Sequence, residues 1–241
     1  MNYLQNKDIS LNLKIGKVVL GKKPVICAVV QTESDARAVK ALKRFGLQLV
    51  EVRADKLKPA AVLPALRLLK KNNFSILLTI RMKKEGGAWK FSEEERLKVF
   101  KYLLPFVDAV DIELKSSICS EVIRTARSRK KRTIVSVHDF KKTPSVNELN
   151  SYMKQARKKG ADIVKVVVFA RSKKDFSAFT EFTLRHHDEP FISISMGKFG
   201  KSSRILFPLL GSLVTYGYLG KKSAPGQFTA EALAKAFRFI G

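Results

Sequence analysis

The sequence predicts one α/β domain folded as a (β/α)8 barrel, and three observations support this fold. Short apolar runs alternate with longer amphipathic stretches along the chain of 241 residues. We find eight such runs, each followed by a helical pattern, and no linker rich in Pro or Gly divides them. An open, doubly wound sheet is the alternative, but no glycine fingerprint follows the first run to favour it. We therefore expect a single domain over residues 1–241.

The predicted strands are short runs of apolar and β-branched residues. They cover residues 24–31, 47–53, 75–81, 109–113, 133–138, 163–169, 191–195 and 212–216. The segments between them repeat apolar residues near every 3.6 positions, which predicts helices. These helices cover residues 35–44, 59–71, 92–104, 116–129, 146–159, 172–185, 202–210 and 229–240. Ser145 and Thr229 are candidate N-cap residues.

Residues 1–23 precede the first strand as an N-terminal extension. Apolar and polar residues alternate from about Leu11 to Leu20, which predicts a hairpin that closes the bottom of the barrel. The start of the chain lacks the regions of a signal peptide, and no apolar stretch approaches the roughly 18 residues of a membrane span. Cys27 and Cys119 lack the spacing of a disulfide framework or a zinc site. We therefore expect a cytoplasmic protein without a membrane partner.

The chain is strongly basic, with a formal net charge of +26. Basic runs close several predicted helices, at residues 43–44, 70–71, 129–132 and 157–159. Cations at helix C-termini complement the helix dipole, and in a barrel these ends lie opposite the C-terminal ends of the strands. A structural role for these charges is therefore favoured. A polyanion-binding barrel stays open as an alternative, although no nucleic-acid motif supports it.

Lys165 is the most informative residue, because it lies inside an otherwise apolar strand. Burial disfavours an ammonium, so we expect part of Lys165 to be a free amine. A neutral amine in a dry pocket is the nucleophile that forms an imine with a ketone. The alternative for a lone strand lysine is an edge position that limits association. His138, at the end of the preceding apolar strand, favours proton chemistry on an imine.

Other polar residues also fall where predicted strands end, and barrel chemistry takes place at that end of the strands. Glu51 and Arg53 lie two residues apart, so both side chains point to the same side of their strand. Asp111 and Glu113 have the same spacing. They resemble a metal-binding pair, but we prefer a role as buried partners of basic site residues. The remaining candidates are Arg81, Glu85, Arg204, Ser223 and Gln227.

Several motifs in order identify a family resemblance over residues from about 24 to 233. They are Glu51-Val52-Arg53-Ala54-Asp55, Arg81 with Glu85-Gly86-Gly87, His138-Asp139-Phe140, Ala161-Asp162-Ile163-Val164-Lys165, Ser195-Met196-Gly197 with Arg204, and Ser223-Ala224-Pro225-Gly226-Gln227. The chain resembles the type I 3-dehydroquinate dehydratases. This resemblance implies a (β/α)8 barrel, a homodimer, and elimination of water from 3-dehydroquinate to 3-dehydroshikimate, the third step of the shikimate pathway.

The resemblance also implies the role of each site residue. Lys165 would form the imine, His138 would move protons, and Glu85 would orient His138. The implied substrate-binding residues are Glu51, Arg53 and Arg81 for ring hydroxyls, Arg204 for the carboxylate, and Ser223 and Gln227 on a lid loop.

The imine chemistry also follows from the residue types, without the family resemblance. An iminium acts as an electron sink, so a histidine can remove the adjacent proton at neutral pH without a metal or organic cofactor. Another Schiff-base barrel, such as an aldolase, stays open as an alternative. The absence of a phosphate-binding glycine loop after the last two strands disfavours it.

Overall fold

A computed structural model describes residues 13–222 and 226–240. The chain first forms a short hairpin of β1 (Lys14–Ile15) and β2 (Val18–Val19). The eight strands that follow are β3 (Val25–Val30), β4 (Leu49–Arg53), β5 (Ser75–Thr79), β6 (Ala109–Glu113), β7 (Arg132–His138), β8 (Ile163–Phe169), β9 (Phe191–Met196) and β10 (Val214–Tyr218).

These eight strands form a nearly closed parallel barrel, which confirms the predicted fold. Each strand from β3 to β9 pairs with its neighbours in chain order, and β10 pairs with β3. At the seam between β9 and β10, the Leu213 N–H donates to the Phe191 carbonyl over 2.9 Å. The helices between the strands are α1 (Glu33–Ala38), α2 (Pro59–Lys71), α3 (Glu93–Leu103), α4 (Cys119–Ser128), α5 (Val146–Lys158), α6 (Lys173–Arg185), α7 (Gly197–Gly200), α8 (Ser203–Leu209) and α9 (Ala230–Ile240).

Both predicted N-cap residues act as such. Ser145 accepts a hydrogen bond from the Glu148 N–H in a reciprocal capping box, and Thr229 accepts one from the Ala232 N–H. Three predicted helices differ from those observed, and one of them, predicted over 116–129, begins only at Cys119. The helix predicted over 35–44 begins earlier, at a capping box formed by Thr32, and continues beyond α1 as a 3-10 helix over Val39–Phe45. The helix predicted over 202–210 is preceded by the separate short α7.

Several predicted strands are shorter than expected, and the difference that affects the site is in the strand predicted over 75–81. β5 ends at Thr79, so Arg81 lies in the loop that follows rather than in the strand predicted over 75–81. The Arg81 carbonyl accepts the Trp89 N–H over 3.1 Å, and this contact closes the loop upon itself. Arg81 therefore sits above the barrel rim, where its side chain reaches β6 and β7.

The predicted hairpin closes the bottom of the barrel. Ile15 and Leu20 are fully buried and pack against inward-facing apolar residues at the lower ends of the strands, such as Leu77. The Lys17 N–H donates to Ser75 Oγ over 3.0 Å, which fixes the hairpin to the start of β5. Residues 1–12 of the predicted extension lie outside the described residues. The described barrel is thus filled from below, and its cavity lies at the opposite end.

Period-two alternation along the strands explains where polar groups enter the interior. In β4, Val50 and Val52 face the helices, whereas Leu49 faces the lower interior among apolar side chains. The next residue on the inward face of β4 is Glu51, which lines the cavity. The inward face of β8 changes in the same way, from apolar Ile163 to Lys165. The polar site is therefore a layer directly above the apolar residues of the lower interior, such as Leu49, Leu77 and Ile163, which we call the apolar floor.

Within the described residues, none of the helices is both long and apolar enough to cross a membrane. Cys27 and Cys119 are both buried and unpaired.

Candidate active site

The polar residues predicted at the strand ends come together in one cavity at the C-terminal end of the barrel. Its empty space, including the open mouth, is about 560 Å³. The predicted residues that line it are Glu51, Arg53, Arg81, Glu85, His138, Lys165, Arg204 and Gln227. Apolar side chains of the same wall include Phe140, Ile194, Met196 and Tyr216. Ser223 lies outside the described residues.

Lys165 sits at the base of the cavity in a buried ion pair. Its Nζ lies 3.0 Å from Asp111 Oδ2, with only 6% of the lysine side chain and none of the aspartate side chain exposed. The same nitrogen lies 4.2 Å from the centre of the Tyr216 ring. Because β8 is a central strand, with β7 and β9 on either side, the edge-strand explanation for Lys165 does not apply. The amine is held on two sides and faces the cavity on the third.

Asp111 is the centre of the buried hydrogen-bond network beneath the cavity. Besides Lys165, its carboxylate accepts hydrogen bonds from Arg81 Nη2 and Ser136 Oγ, each over 2.6 Å. Burial alone would raise the pKa of Asp111, but the cations of Arg81 and Lys165 hold it well below its usual range. An ionised carboxylate therefore lies beside the amine at neutral pH.

Glu113 links this network to the loop that carries Glu85. Its carboxylate lies 3.3 Å from Arg81 Nη1 and 2.5 Å from Arg96 Nη2. It also accepts the backbone N–H of Met82 over 3.1 Å. Asp111 and Glu113 are thus buried partners of basic side chains, as predicted. No cluster of His, Cys, Asp and Glu suited to a metal ion occurs among residues 13–222 and 226–240.

His138 and Glu85 form a second pair on the wall of the cavity. His138 Nδ1 lies 3.1 Å from Glu85 Oε2, and the Phe140 ring stacks on the imidazole with its centre 6.0 Å away. Burial, Arg81 and Lys165 hold the pKa of His138 well below its usual value, so the imidazole is neutral at neutral pH. Burial also raises the pKa of Glu85 to about 7.

Gly86 makes this arrangement possible. Its φ of +76° is a left-handed conformation, and a Cβ at this position would lie 2.7 Å from the Phe140 ring. The sharp turn brings Glu85 to the imidazole, and the missing side chain leaves space for Phe140.

Arg53 and Glu51 are held by partners within the site. Arg53 donates two parallel hydrogen bonds to Asp55, over 2.9 and 2.7 Å. Glu51 accepts the Thr79 hydroxyl over 2.7 Å. Both side chains are therefore fixed before any ligand binds, and each retains hydrogen-bonding capacity toward the cavity.

Arg204 is different, because no salt bridge of the described residues gives it a carboxylate partner. It is 3% exposed, its Nη1 donates to the Ser195 carbonyl over 3.2 Å, and its Nε has no hydrogen-bond partner among the described residues. Burial lowers the pKa of Arg204 to about 10, which still leaves it charged. A buried, unpaired guanidinium on a cavity wall is suited to an anion.

Comparison with known proteins shows the family of this chain. The family model of type I 3-dehydroquinase matches residues 25–241. The chain belongs to the type I 3-dehydroquinase family. The family predicted from the sequence motifs is thereby confirmed.

Two relatives and two solved structures illustrate the similarity. The 3-dehydroquinate dehydratase of Methanococcoides burtonii is 36% identical over 236 residues, covering 95% of this chain and 99% of the relative. That of Pyrococcus abyssi is 36% identical over 218 residues, covering 90% and 99%. The type I enzyme of Clostridium difficile, solved with covalently modified comenic acid, superposes with a TM-score of 0.85 at 28% identity, covering 95% and 96%. The Geobacillus kaustophilus enzyme gives 0.85 at 29% identity, covering 95% of each chain.

In this type I 3-dehydroquinase, two hydrogen bonds hold residues 220 and 221, which precede Gln227 in the chain. The Gly220 N–H donates to Asp35 Oδ1 over 3.2 Å, and the Gln31 side chain donates to the Lys221 carbonyl over 2.8 Å. Gln227 is 5% exposed and lines the cavity. Gln227 therefore reaches the site, and the lid expected from Ser223 and Gln227 stays a prediction.

Sequence reasoning missed several residues that shape the site. It identified neither Ser136, which joins Asp111 to Arg81, nor Asp55 as the partner of Arg53. It also missed Tyr216, although this residue ends the last predicted strand and so occupies a position where barrel chemistry is expected.

Proposed function

We propose that this hydro-lyase converts 3-dehydroquinate to 3-dehydroshikimate through an imine at Lys165. The observation that carries the proposal is the position of the Lys165 amine. It lies at the base of a cavity, 3.0 Å from an ionised carboxylate, in the cavity that also holds the His138–Glu85 pair and the unpaired Arg204. These groups supply a nucleophile, a base and an anion site.

In the first step, the Lys165 ammonium releases one proton to solvent and its Nζ attacks the ring ketone. The carbinolamine oxygen takes up a proton from solvent and departs as water, which leaves an iminium. The positive charge of the iminium then occupies the place of the original ammonium, beside Asp111. Because this carboxylate is already oriented by Arg81 and Ser136, it stabilises the charge without reorganising.

In the second step, the neutral imidazole of His138 removes a proton from the carbon next to the iminium. When Glu85 is ionised, it accepts a hydrogen bond from the Nδ1–H group of His138. The unprotonated Nε2 is then free to act as the base. The electron pair of the broken C–H bond moves into the enamine. The protonated His138 then returns the proton to the β-hydroxyl, which leaves as water. Hydrolysis of the conjugated iminium releases the product and regenerates the amine.

The remaining cavity residues fit the polar substrate. Arg204 would bind the carboxylate, because its planar guanidinium is desolvated and has unused donors. Glu51 and Arg53 of β4 and Arg81 of the loop after β5 would hold the ring hydroxyls. Ser223 and Gln227 would complete the lid and limit the access of water to the iminium. No metal or organic cofactor is required, since the lysine itself provides the electron sink.

The proposal includes a cytoplasmic homodimer. A reducing compartment is consistent with two buried, unpaired cysteines. The dimer rests on the family resemblance, and light scattering on the purified protein would test it.

The proposed activity is tested by mixing the purified protein with 3-dehydroquinate and following the absorbance of the conjugated product. We expect turnover that saturates with substrate. A correctly folded protein that produces no conjugated acid would contradict the proposal.

A further inference from the structure

Tyr216 lies at the boundary between the apolar floor and the polar layer of the site. It is in β10, where it pairs in register with Cys27 of β3, and its ring packs among the apolar residues of the lower interior. The Lys165 nitrogen lies over this ring, 4.2 Å from its centre. A cation over an aromatic face is attracted to it, so the ring holds the amine against Asp111.

The Tyr216 hydroxyl is buried without a hydrogen-bond partner among the described residues. The residue is 5% exposed and lines the cavity. Two buried carboxylates of the site are hydrogen-bonded to other groups, Glu51 to Thr79 and Asp111 to three donors that include Lys165. Neither of them is hydrogen-bonded to the Tyr216 hydroxyl in the described part of the chain. A buried hydroxyl left without a partner is destabilising, so its presence in the cavity wall points to a ligand.

The phenol is in the form that donates a hydrogen bond. Burial, and then the neighbouring Cys27 and Glu51, raise the pKa of Tyr216 well above its usual value. The hydroxyl is therefore protonated at neutral pH, and a substrate oxygen is a suitable acceptor.

We propose that Tyr216 is a substrate-binding residue of this site, whose ring confines the Lys165 amine and whose hydroxyl donates a hydrogen bond to an oxygen of the bound ring. The inference rests on the proposed function, because the oxygen-rich ring is the substrate named there. The ring and the hydroxyl of Tyr216 thus have different roles, and separate substitutions can remove the hydroxyl alone or the whole aromatic ring.

The test compares Tyr216→Phe with Tyr218→Phe, a matched control on the same strand whose side chain lines a different groove. Tyr216→Phe should lower kcat/KM for 3-dehydroquinate by about three- to tenfold, the effect of one neutral hydrogen bond. Its Tm without ligand should be unchanged or higher, since no internal hydrogen bond is lost. Tyr218→Phe should retain the wild-type kcat/KM.

The ring is tested by Tyr216→Leu, which should slow borohydride trapping of the substrate on Lys165 further than Tyr216→Phe does. Equal trapping rates in the two variants would overturn the role of the ring. Wild-type kcat/KM in Tyr216→Phe would overturn the role of the hydroxyl, as would a lower Tm without ligand, which would indicate a structural hydrogen bond. If the wild-type protein itself fails to turn over 3-dehydroquinate, the proposed function fails first, and that result is distinct from both.

Discussion

Asp111 Oδ2 lies 3.0 Å from Lys165 Nζ, although the two residues come from β6 and β8, strands that are not neighbours in the barrel. The contact spans the interior above Ser136 of β7, which hydrogen-bonds to the same carboxylate. A buried carboxylate without a counter-charge destabilises the folded state. Here the Asp111 carboxylate forms ion pairs with both Arg81 and Lys165. The pair therefore serves both the fold and the site, since it neutralises the interior and fixes the amine.

Asp111→Asn should lower the free energy of unfolding by about 3–5 kcal/mol, because Arg81 and Lys165 would remain buried without a counter-charge. Urea denaturation measures the loss. Asp188→Asn, at an exposed turn, is the matched control and should change stability by less than about 0.5 kcal/mol. Equal stabilities of the two variants would show that the buried pair contributes nothing.

The pH profile of kcat/KM should report the Glu85–His138 pair. Glu85 must be ionised to accept a hydrogen bond from the Nδ1–H group of His138. Burial raises the pKa of Glu85 to about 7. Activity should therefore rise with pH, with an apparent pKa near 7 that belongs to the coupled pair. In Glu85→Gln the acid limb should move to lower pH, because the pKa of His138 lies well below its usual value. An acid limb that stays in place in Glu85→Gln would contradict this assignment.

His138→Ala should lower kcat by about 10²–10⁴-fold, the usual contribution of a general acid–base residue. The imine should still form, since the amine and its partner Asp111 are untouched. Borohydride trapping on the variant separates the two steps. His187→Ala removes an exposed imidazole and should leave kcat unchanged. Loss of trapping in His138→Ala would assign His138 to imine formation rather than to proton transfer.

Arg204→Met should raise KM about 10- to 100-fold, because a hydrogen bond to a charged group contributes about 1.5–3 kcal/mol. The same variant should be as stable as the wild type, or more stable, without ligand, since it removes a buried and unpaired charge. Steady-state kinetics and thermal unfolding provide the two measurements. Arg185→Met, on the exposed end of α6, is the control. An unchanged KM in Arg204→Met would show that the carboxylate binds elsewhere.

The fold and the residues that line the cavity could be predicted from the sequence, because both depend on local patterns. Period two along a strand places Glu51 and Arg53 on one side, and parallel strands bring their C-terminal ends to one rim. His138 and Lys165 reach the cavity for the same reason. None of these inferences needs the register between strands.

The resemblance implied the pairing of Glu85 with His138, and Asp111 and Glu113 were expected to pair with basic side chains. Which basic side chains they contact could not be predicted, because this depends on register and on loop paths. Asp111 reaches Lys165 across β7, and Arg53 pairs with a residue two positions further along the chain, beyond the strand. Tyr216 was missed because its ring belongs to the apolar floor, and an apolar pattern does not show which way a hydroxyl points. The loop containing Gly86 was predicted as a motif, but its contact with Phe140 required the structure.

The most direct test of the account is borohydride reduction of the protein mixed with 3-dehydroquinate, followed by peptide mass spectrometry. We expect a single reduced adduct on Lys165, and none in Lys165→Ala. Lys154→Ala, which replaces an exposed lysine of α5, should give the wild-type adduct. Turnover without any adduct, or an adduct on a different lysine, would contradict the imine at Lys165.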